Sequence, residues 1–255
     1  MIPVSARGSD LYYVLRQVPF KKRAAYQALH LLCQEFNQIS EHYREPAIAE
    51  KKLKWWQEEM QRFFRDKSSH PLLVPLKTMR SHFTVTPFLA LIEANLLSLK
   101  THIFETRTEL LKHYQHLGGI QFELKARLLN AESQPQIHHT LGTLAEIFRH
   151  LIDFRKFINQ QHLYFALEDF RQYQIDPAPI LQLQSHETIA PLFEAYWTLT
   201  QKDWPTRQNQ LRPLFLEVKL KQKQVAAIRQ QGWQWFRYQV ELTPLQKLFF
   251  TTLWR

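Results

Sequence analysis

Cysteine, glycine and long apolar runs are scarce in this 255-residue chain, and each scarcity excludes a class of protein. The one cysteine, Cys33, cannot form an intramolecular disulfide, which excludes a disulfide-stapled secreted scaffold. Only 5 glycines occur, and the hairpin dipeptides Asn-Gly and Asp-Gly are absent, so a sheet-rich fold is disfavoured. No run of about 18 apolar residues is present, so we expect no membrane-spanning helix.

The residues that are abundant favour one helical domain. Hydrophobic residues make up 45% of the chain and aromatic residues 13%, which is enough for a sizeable core. Leu, Gln, Lys, Arg, Ala and Glu dominate, and all of them favour helix. Because no polar linker or internal repeat is visible, we predict a single all-α domain over residues 1–255. The first residues, MIPVSARGSDLYYV, lack the apolar segment of a signal peptide, which predicts a reducing, cytoplasmic location.

The chain is basic, with 33 Lys and Arg residues, 23 Asp and Glu residues and a formal net charge of +10. The basic residues are spread along the chain in short runs, such as residues 21–23 and 219–223, and do not form one stripe. We therefore do not expect nucleic acid as a partner. Attraction to an anionic lipid surface or to a diphosphate accounts for the charge equally well, so peripheral membrane contact stays open.

Apolar residues recur at steps of three and four in several segments, as in helices with one buried face. A helix over residues 106–130 has Gly118 and Gly119 near its centre, where each glycine costs about 1 kcal/mol relative to alanine. The glycine pair predicts a kink or a close approach to another element. A C-terminal helix is predicted from about residue 213 to 230. The other clear sets are Leu53, Trp56, Met60 and Phe63; Leu89, Ile92, Leu96, Leu99 and Ile103; and Leu144, Ile147, Leu151, Phe154 and Ile158, which surround Asp153.

Several motifs follow one another in the order of a known family. An aromatic pair, a proline and an arginine (YYVLRQVPFKKR, residues 12–23) precede HLLCQEF and then NQISE, residues 37–41. KKLKWWQEEM, HPLL and FETRTELLKHYQHLGG follow, then the segment of Asp153, and finally RYQVELTPLQKLFF. In this order they resemble the squalene/phytoene synthase family over nearly the whole chain. The resemblance implies an all-α isoprenoid synthase (terpenoid synthase-like) helical bundle with a central apolar cavity.

The resemblance also implies a chemistry, and the first metal motif departs from it. Family enzymes join two isoprenyl diphosphates head to head and hold Mg²⁺ with two Asp-rich motifs on facing helices. The family's DDxxD becomes Asn37, Gln38 and Glu41 here, so two negative charges are lost. Neutral amide oxygens bind Mg²⁺ poorly, because this cation prefers charged oxygen ligands. We therefore expect weak or no Mg²⁺ binding.

The second motif, RDxxxD in the family, has lost an acid as well. Alignment on Tyr164 places Ile152 at the arginine, Asp153 at the first acid and Phe157 at the second. Phenylalanine cannot bind Mg²⁺. If Phe157 lies on the pocket wall, the pocket is more apolar and suits a neutral chain better than a diphosphate.

Substitutions extend to the neighbouring positions. Glu146 and Arg149 replace a glutamine and an asparagine of the family. His162 replaces an arginine that precedes the family's tyrosine, which is Tyr164 here. Together with the lost acids, these changes affect both metal motifs and a diphosphate contact.

The remaining candidates form a possible ligand pocket by resemblance, and ordinary structural roles stay open for them. Arg23 matches the family's diphosphate-side arginine, and without a metal such bases could hold an anion directly. The alternative is that Asp153 pairs with Arg149 or Arg155 and that Glu41 is solvated. The candidate pocket residues are Tyr12, Lys22, Arg23, Glu35, His162 and Tyr164.

Two functions from different classes are compatible with these residues. The one we favour is a non-catalytic protein without a cofactor that binds a prenyl lipid or a partner protein. It is similar in kind to the mitochondrial complex I assembly factor, which has a squalene/phytoene-synthase-like domain with eroded acids. The second is an active prenyl transferase of terpenoid biosynthesis that binds Mg²⁺ through Glu41 and Asp153, with Glu35 or Glu93 nearby. Magnesium-dependent turnover discriminates between them.

Overall fold

The structure is a computed structural model that describes residues 6–43, 45–101, 103–131, 135–182, 189–202, 204–234 and 240–253. In these ranges the chain is helical and has no strand, only an isolated bridge between Phe104 and Ala166. The all-α prediction is confirmed. The helices are α1 (Asp10–Leu15), α2 (Arg23–His42), α3 (Pro46–Phe64), α4 (Val85–Lys100), α5 (Arg107–Tyr114), α6 (Ile120–Leu129), α7 (Pro135–Ile152), α8 (Phe154–Asn159), α9 (Leu167–Gln172), α10 (Pro177–Leu181), α11 (Ala190–Gln201), α12 (Arg212–Gln230) and α13 (Pro244–Leu253).

Helix α2 supplies a central part of the core. Its 20 residues make it about 30 Å long. Buried residues recur along one side from Ala25 to Glu41, and this side packs against α3, α4 and α6. The helix ends at His42 because Tyr43 adopts extended backbone. Pro46 then opens α3 at a position where a missing backbone N–H breaks no helical hydrogen bond.

The two central glycines lie where the chain comes closest to a neighbouring helix. Helices α5 and α6 are joined by a π-helical turn, Gln115–Gly119, which packs against α7. A Cβ atom on Gly118 would lie 2.1 Å from the carbonyl oxygen of Gly142 in α7 and 2.7 Å from Cγ of Glu146. The predicted irregularity and close approach are both present. No residue larger than glycine fits at Gly118 without moving α7.

Two details of the predicted helices are wrong. The helix around Asp153 is interrupted, because α7 ends at Ile152 and α8 begins at Phe154. Asp153 is therefore a junction residue with backbone angles of φ −92° and ψ 13°. Ile103 was expected on a buried helix face, but α4 ends at Lys100 and the Ile103 side chain is 46% exposed.

Within the described ranges, no single helix has the length and hydropathy needed to cross a bilayer. One bent pair, Val74–His82 with Val85–Lys100, reaches these limits only when the two helices are taken together. The angle between them is 117°.

We predict that Gly118→Ala destabilises the protein by about 3 kcal/mol, since the added methyl group meets a backbone oxygen that side-chain rotation cannot move. The corresponding loss in melting temperature is about 6–12 °C for a domain of this size. Circular dichroism melts measure it. Thr140→Ala, at a half-buried position of α7, is the control and should shift the melt by less than about 2 °C. Equal melts for the two variants would contradict the close contact.

Candidate functional site

The first acidic motif lies at the C-terminal end of α2 and faces the interior at two of its three positions. Asn37 and Glu41 are buried, whereas Gln38 is exposed. The Oδ1 atom of Asn37 accepts a hydrogen bond from Nε2 of Gln121 in α6 at 3.2 Å. Asn37 therefore serves a helix–helix contact. Glu41 is the one carboxylate that this motif contributes to the interior.

Arg149 of α7 bridges two buried carboxylates, and we call Arg149, Glu41 and Glu146 the ion cluster. The Nη1 atom of Arg149 donates to Oε1 of Glu41 at 2.5 Å, which joins α7 to α2. Its Nε and Nη2 atoms donate to Oε2 of Glu146, one turn earlier in α7, at 2.9 and 2.7 Å. The alternative that Glu41 is solvated is wrong, because its side chain is only 6% exposed.

Burial and charge oppose each other in the ion cluster. Burial would lower the pKa of Arg149, but Glu146 and Glu41 outweigh it and raise that pKa well above its ordinary value. The guanidinium is therefore a permanent cation. Burial raises the pKa of Glu41, and Arg149 only partly offsets this rise.

Phe157 lies beside the ion cluster in a group of stacked rings. Its side chain is 1% exposed. The ring stacks on His150 with centroids 4.8 Å apart, and it meets Tyr164 edge to face at the same distance. The guanidinium carbon of Arg149 lies 5.3 Å from the ring centroid. The residue that the resemblance aligns with a metal-binding acid is thus packed among other rings and makes a cation–π contact.

His150 is held in one neutral form by its neighbours. Its Nδ1 atom lies 2.8 Å from the carbonyl oxygen of Glu146, so that nitrogen carries the proton. Its Nε2 atom lies 3.4 Å from Nη2 of Arg149 and accepts from that cation. Burial lowers the pKa of His150 well below its ordinary value, and Arg149 adds to the effect.

The basic candidates lie at the opposite end of α2 from the ion cluster. Arg23 begins α2 and Glu41 is 18 residues further along it, which places them about 27 Å apart along the axis. Nε of Arg23 donates to the carbonyl oxygen of Val18 at 3.0 Å. Lys22 directly precedes Arg23 and lies at the same end of α2, whereas Tyr12 belongs to α1. The structure therefore does not bring Lys22 and Arg23 into one pocket with Glu41.

The other candidates are placed as follows. Glu35 is half-buried on α2, and its six-residue separation from Glu41 turns it about 120° away on the helix. Glu93 is exposed on α4. His162 is half-buried, and its Nδ1 atom lies 3.4 Å from the hydroxyl of Tyr164, which is buried. Of the candidate pocket residues, His162 shares a cavity wall with Glu41, and Tyr164 packs against Phe157.

The donor set around Glu41 does not suit Mg²⁺. This cation needs several hard oxygen ligands, but the carboxylates of Glu41 and Glu146 already bind the guanidinium of Arg149. Among the described residues, no group of three or more His, Cys, Asp or Glu side chains is arranged to hold a metal ion. Asp153 is half-buried one turn beyond Arg149. No step of a reaction can be derived through magnesium at this site.

A cavity of about 500 Å³ opens beside the ion cluster, and we call it the outer cavity. Glu41 forms part of its wall, and the described residues that line it include no lysine or arginine. The described wall of the cavity therefore offers an anion no ammonium or guanidinium group. Its other lining residues include Ser40, His42, Tyr43, Leu99, Gln160 and His162.

A second buried ion pair was not anticipated from the sequence. Nζ of Lys125 in α6 lies 2.7 and 2.9 Å from the two carboxylate oxygens of Glu217 in α12. The Tyr26 hydroxyl donates to Oε2 of Glu217 at 3.3 Å. Burial would raise the pKa of Glu217, but the ammonium group of Lys125 outweighs it, and that pKa falls to about 2. The available signal was a charged residue between two apolar neighbours in each helix, Lys125 in ELKAR and Glu217 in FLEVK.

The fold is shared with solved structures of isoprenoid synthases. A dehydrosqualene synthase in complex with ligand superimposes with a TM-score of 0.73 at 14% identity, over 96% of this chain and 90% of that chain. The squalene synthase HpnC from Alicyclobacillus acidocaldarius gives a TM-score of 0.73 at 18% identity, over 87% and 88%. YisP from Bacillus subtilis subsp. subtilis strain 168 gives 0.64 at 16%, over 95% and 89%. At these identities the likeness shows the isoprenoid synthase helical fold alone.

A comparison of the sequence with family profiles identifies one family within this fold class. A profile of squalene/phytoene synthases matches residues 4–246. The chain belongs to the squalene/phytoene synthase family, as its ordered motifs indicated. A search of curated proteins gives no significant match.

We predict that stability falls as the pH decreases from 7 to 5. Burial lowers the pKa of His30 to about 3 and that of His113 to about 4, and His150 is shifted in the same direction. These side chains stay neutral in the folded protein, whereas the unfolded chain takes up protons near pH 6.5. Below that pH the unfolded state binds more protons, so each histidine costs up to about 1.4 kcal/mol per pH unit. Urea titrations at several pH values measure the slope. His30→Gln should reduce it by about one third, and a flat profile would contradict the prediction.

We predict that Phe157→Asp lowers the free energy of unfolding by about 3–5 kcal/mol, because it buries a carboxylate beside a guanidinium that is already bound to two others. Phe157→Leu is the matched control, which loses the ring but stays apolar and should cost less. Thermal melts compare the two. An unchanged melting temperature for the aspartate variant would mean that the side chain reaches solvent and that the alignment of the second motif is wrong.

Proposed function

We propose that this protein is a non-catalytic member of the squalene/phytoene synthase family that binds a prenyl lipid with an uncharged head group. The observation that carries the proposal is the ion cluster, in which the cation between the motif helices is the side chain of Arg149. Family members bind isoprenyl diphosphates, which favours an isoprenoid as the ligand class. The proposed ligand is therefore still an isoprenoid, but its head group is uncharged where the family's substrates carry a diphosphate.

The loss of catalysis is argued from charge. Breaking the allylic carbon–oxygen bond leaves a diphosphate anion, and the family stabilises this anion with Mg²⁺. Here the neighbouring carboxylates bind a guanidinium, and the bases that could replace the metal, Lys22 and Arg23, begin the far end of α2. A diphosphate beside Glu41 would meet a carboxylate whose buried cation is already bound, and the remaining cation that acts on Glu41, Lys156, is exposed.

The head group is argued from the outer cavity. Its wall combines the Glu41 carboxylate, imidazole and amide groups, which are hydrogen-bond acceptors or neutral donors. The Oε1 atom of Gln160 is buried there without a hydrogen-bond donor. A hydroxyl group can donate to such acceptors at no electrostatic cost, whereas a phosphate cannot.

We predict that the purified protein forms no squalene or phytoene from farnesyl or geranylgeranyl diphosphate in the presence of Mg²⁺. Gas chromatography with mass spectrometry measures the product, and an active family enzyme assayed in parallel shows that the assay works. Asp153→Ala is the background control. Product above the level of that control would contradict the proposal and favour the alternative, an active prenyl transferase with a non-standard ligand set.

The binding half of the proposal has its own readout. Titration with farnesol should quench tryptophan fluorescence or raise the melting temperature, and farnesyl diphosphate should do so more weakly. Equal or stronger binding of the diphosphate would contradict the uncharged head group. No response to either compound would contradict lipid binding and leave a protein partner as the ligand.

A further inference from the structure

A second cavity, about 570 Å³ in volume, lies between α5, the N-terminal half of α7 and the C-terminal end of α11, and we call it the flank groove. Helices α5 and α11 each pack against α7. Among the described residues, the flank groove shares none with the outer cavity or the ion cluster. Its volume falls within the range of about 300–1,000 Å³ that is typical of small-ligand sites. The flank groove is therefore a separate candidate site.

The floor of the flank groove is aliphatic. Leu144 and Ile147 of α7 are buried at its base, and Leu111 of α5 and Leu199 of α11 are half-buried beside them. Branched apolar side chains from three helices thus line one cavity. An alkyl chain lying on this floor would remove apolar surface of both partners from water, which favours binding.

The rim of the flank groove is positively charged. Lys112 of α5 and Lys202, the C-cap residue of α11, are both exposed and line it. The described lining residues include no aspartate or glutamate. The lysine ion pairs in the described part of the chain involve Lys54, Lys125 and Lys247. The two ammonium groups of the rim are thus available to an anion from solution.

The uncharged polar groups of the groove are compatible with an anion. Thr108 and Thr140 line the groove, and their hydroxyl groups can donate hydrogen bonds. The carboxylate that comes nearest through a lining residue is that of Glu123, whose Oε2 atom lies 3.9 Å from Nε2 of His139. Its Oε1 atom already accepts hydrogen bonds from Arg127 at 3.0 and 2.8 Å. The charge of this acid is therefore compensated outside the groove.

Size and charge together select a ligand with one alkyl chain and one carboxylate. A helix of two turns is a cylinder about 10 Å wide and about 11 Å long, or roughly 900 Å³, so it does not fit within the groove. A neutral lipid would gain nothing from the two ammonium groups. A diphosphate carries more charge than they offset, and no arginine lines the described wall to bind it as a planar fork.

We propose that the flank groove binds a straight-chain fatty acid, with the alkyl chain on the aliphatic floor and the carboxylate held by Lys112 and Lys202. This site differs from the one under the proposed function in its helices, in its lining residues and in the charge of its ligand. A failed experiment with farnesol at the outer cavity therefore does not affect it.

The test is a competition experiment with a dansyl-labelled undecanoic acid as the fluorescent probe. Decanoate should displace the probe, whereas 1-decanol, which has the same chain and no charge, should do so at least about tenfold more weakly. Farnesol should not compete, because its proposed site is the outer cavity. Isothermal titration calorimetry with decanoate measures the affinity directly. Equal displacement by decanoate and 1-decanol would contradict a role for the lysines.

Two sets of variants assign the site. Lys112→Gln combined with Lys202→Gln should weaken decanoate binding by about tenfold or more and leave 1-decanol unchanged. Lys51→Gln combined with Lys67→Gln removes the same charge from exposed positions outside the groove and is the matched control. All four positions are exposed, so melting temperatures should shift by less than about 2 °C.

Leu199→Trp tests the floor, because the larger side chain fills the groove and should weaken decanoate and 1-decanol alike. The proposal is wrong if neither this variant nor the pair of glutamine substitutions changes the affinity for decanoate. Displacement of the probe by farnesol would place the fatty acid in the outer cavity and overturn the assignment. Tighter binding of farnesyl diphosphate than of decanoate at the groove would contradict the carboxylate.

Discussion

Compensation of buried negative charge is the constraint on which the interior of this protein depends. Glu41 and Glu146 lie on different helices and out of water, and an unpaired buried carboxylate costs several kcal/mol. Arg149 forms ion pairs with both carboxylates, and its bond to Glu41 links α7 to α2. Burial lowers the pKa of the adjacent His150 and the charge of Arg149 adds to this effect, while the guanidinium lies over the ring of Phe157. Glu41, Glu146 and Arg149 therefore form one interdependent group, because removing the cation would leave two buried carboxylates unpaired.

The sequence predicts the helical architecture well because its signals are local. Residues three and four apart share a helix face, so the spacing of Leu53, Trp56, Met60 and Phe63 was sufficient for α3. Glycine at the centre of a helix has few local explanations, so the pair before α6 pointed to a close approach, which Gly142 provides. The family followed from ordered motifs along the chain, and a profile match over residues 4–246 agrees with it.

The site was less predictable because its interactions cross between helices. Arg149 was recognised as a departure from the family pattern, but periodicity cannot show that it reaches Glu41, 108 residues away. The pairing of Lys125 with Glu217 was missed for the same reason. Motif order carries no distances, so it could not show that Arg23 and Glu41 lie near opposite ends of α2. The break at Asp153 was hidden because apolar spacing continues across it and no proline or glycine marks it.

The contact between the π-helical turn and α7 affects the buried charges on α7. Gly118 and Gly142 meet backbone to backbone, and the same contact confines the side chain of Glu146. The depth of the Glu146 carboxylate is thus set by main-chain atoms. Unlike a side chain, these atoms cannot move aside by changing rotamer. Charge and backbone spacing are coupled here, because any increase in the spacing of the two backbones would move α7 and, with it, both Glu146 and Arg149. The absence of side chains at Gly118 and Gly142 therefore determines how the buried charges of the interior are placed.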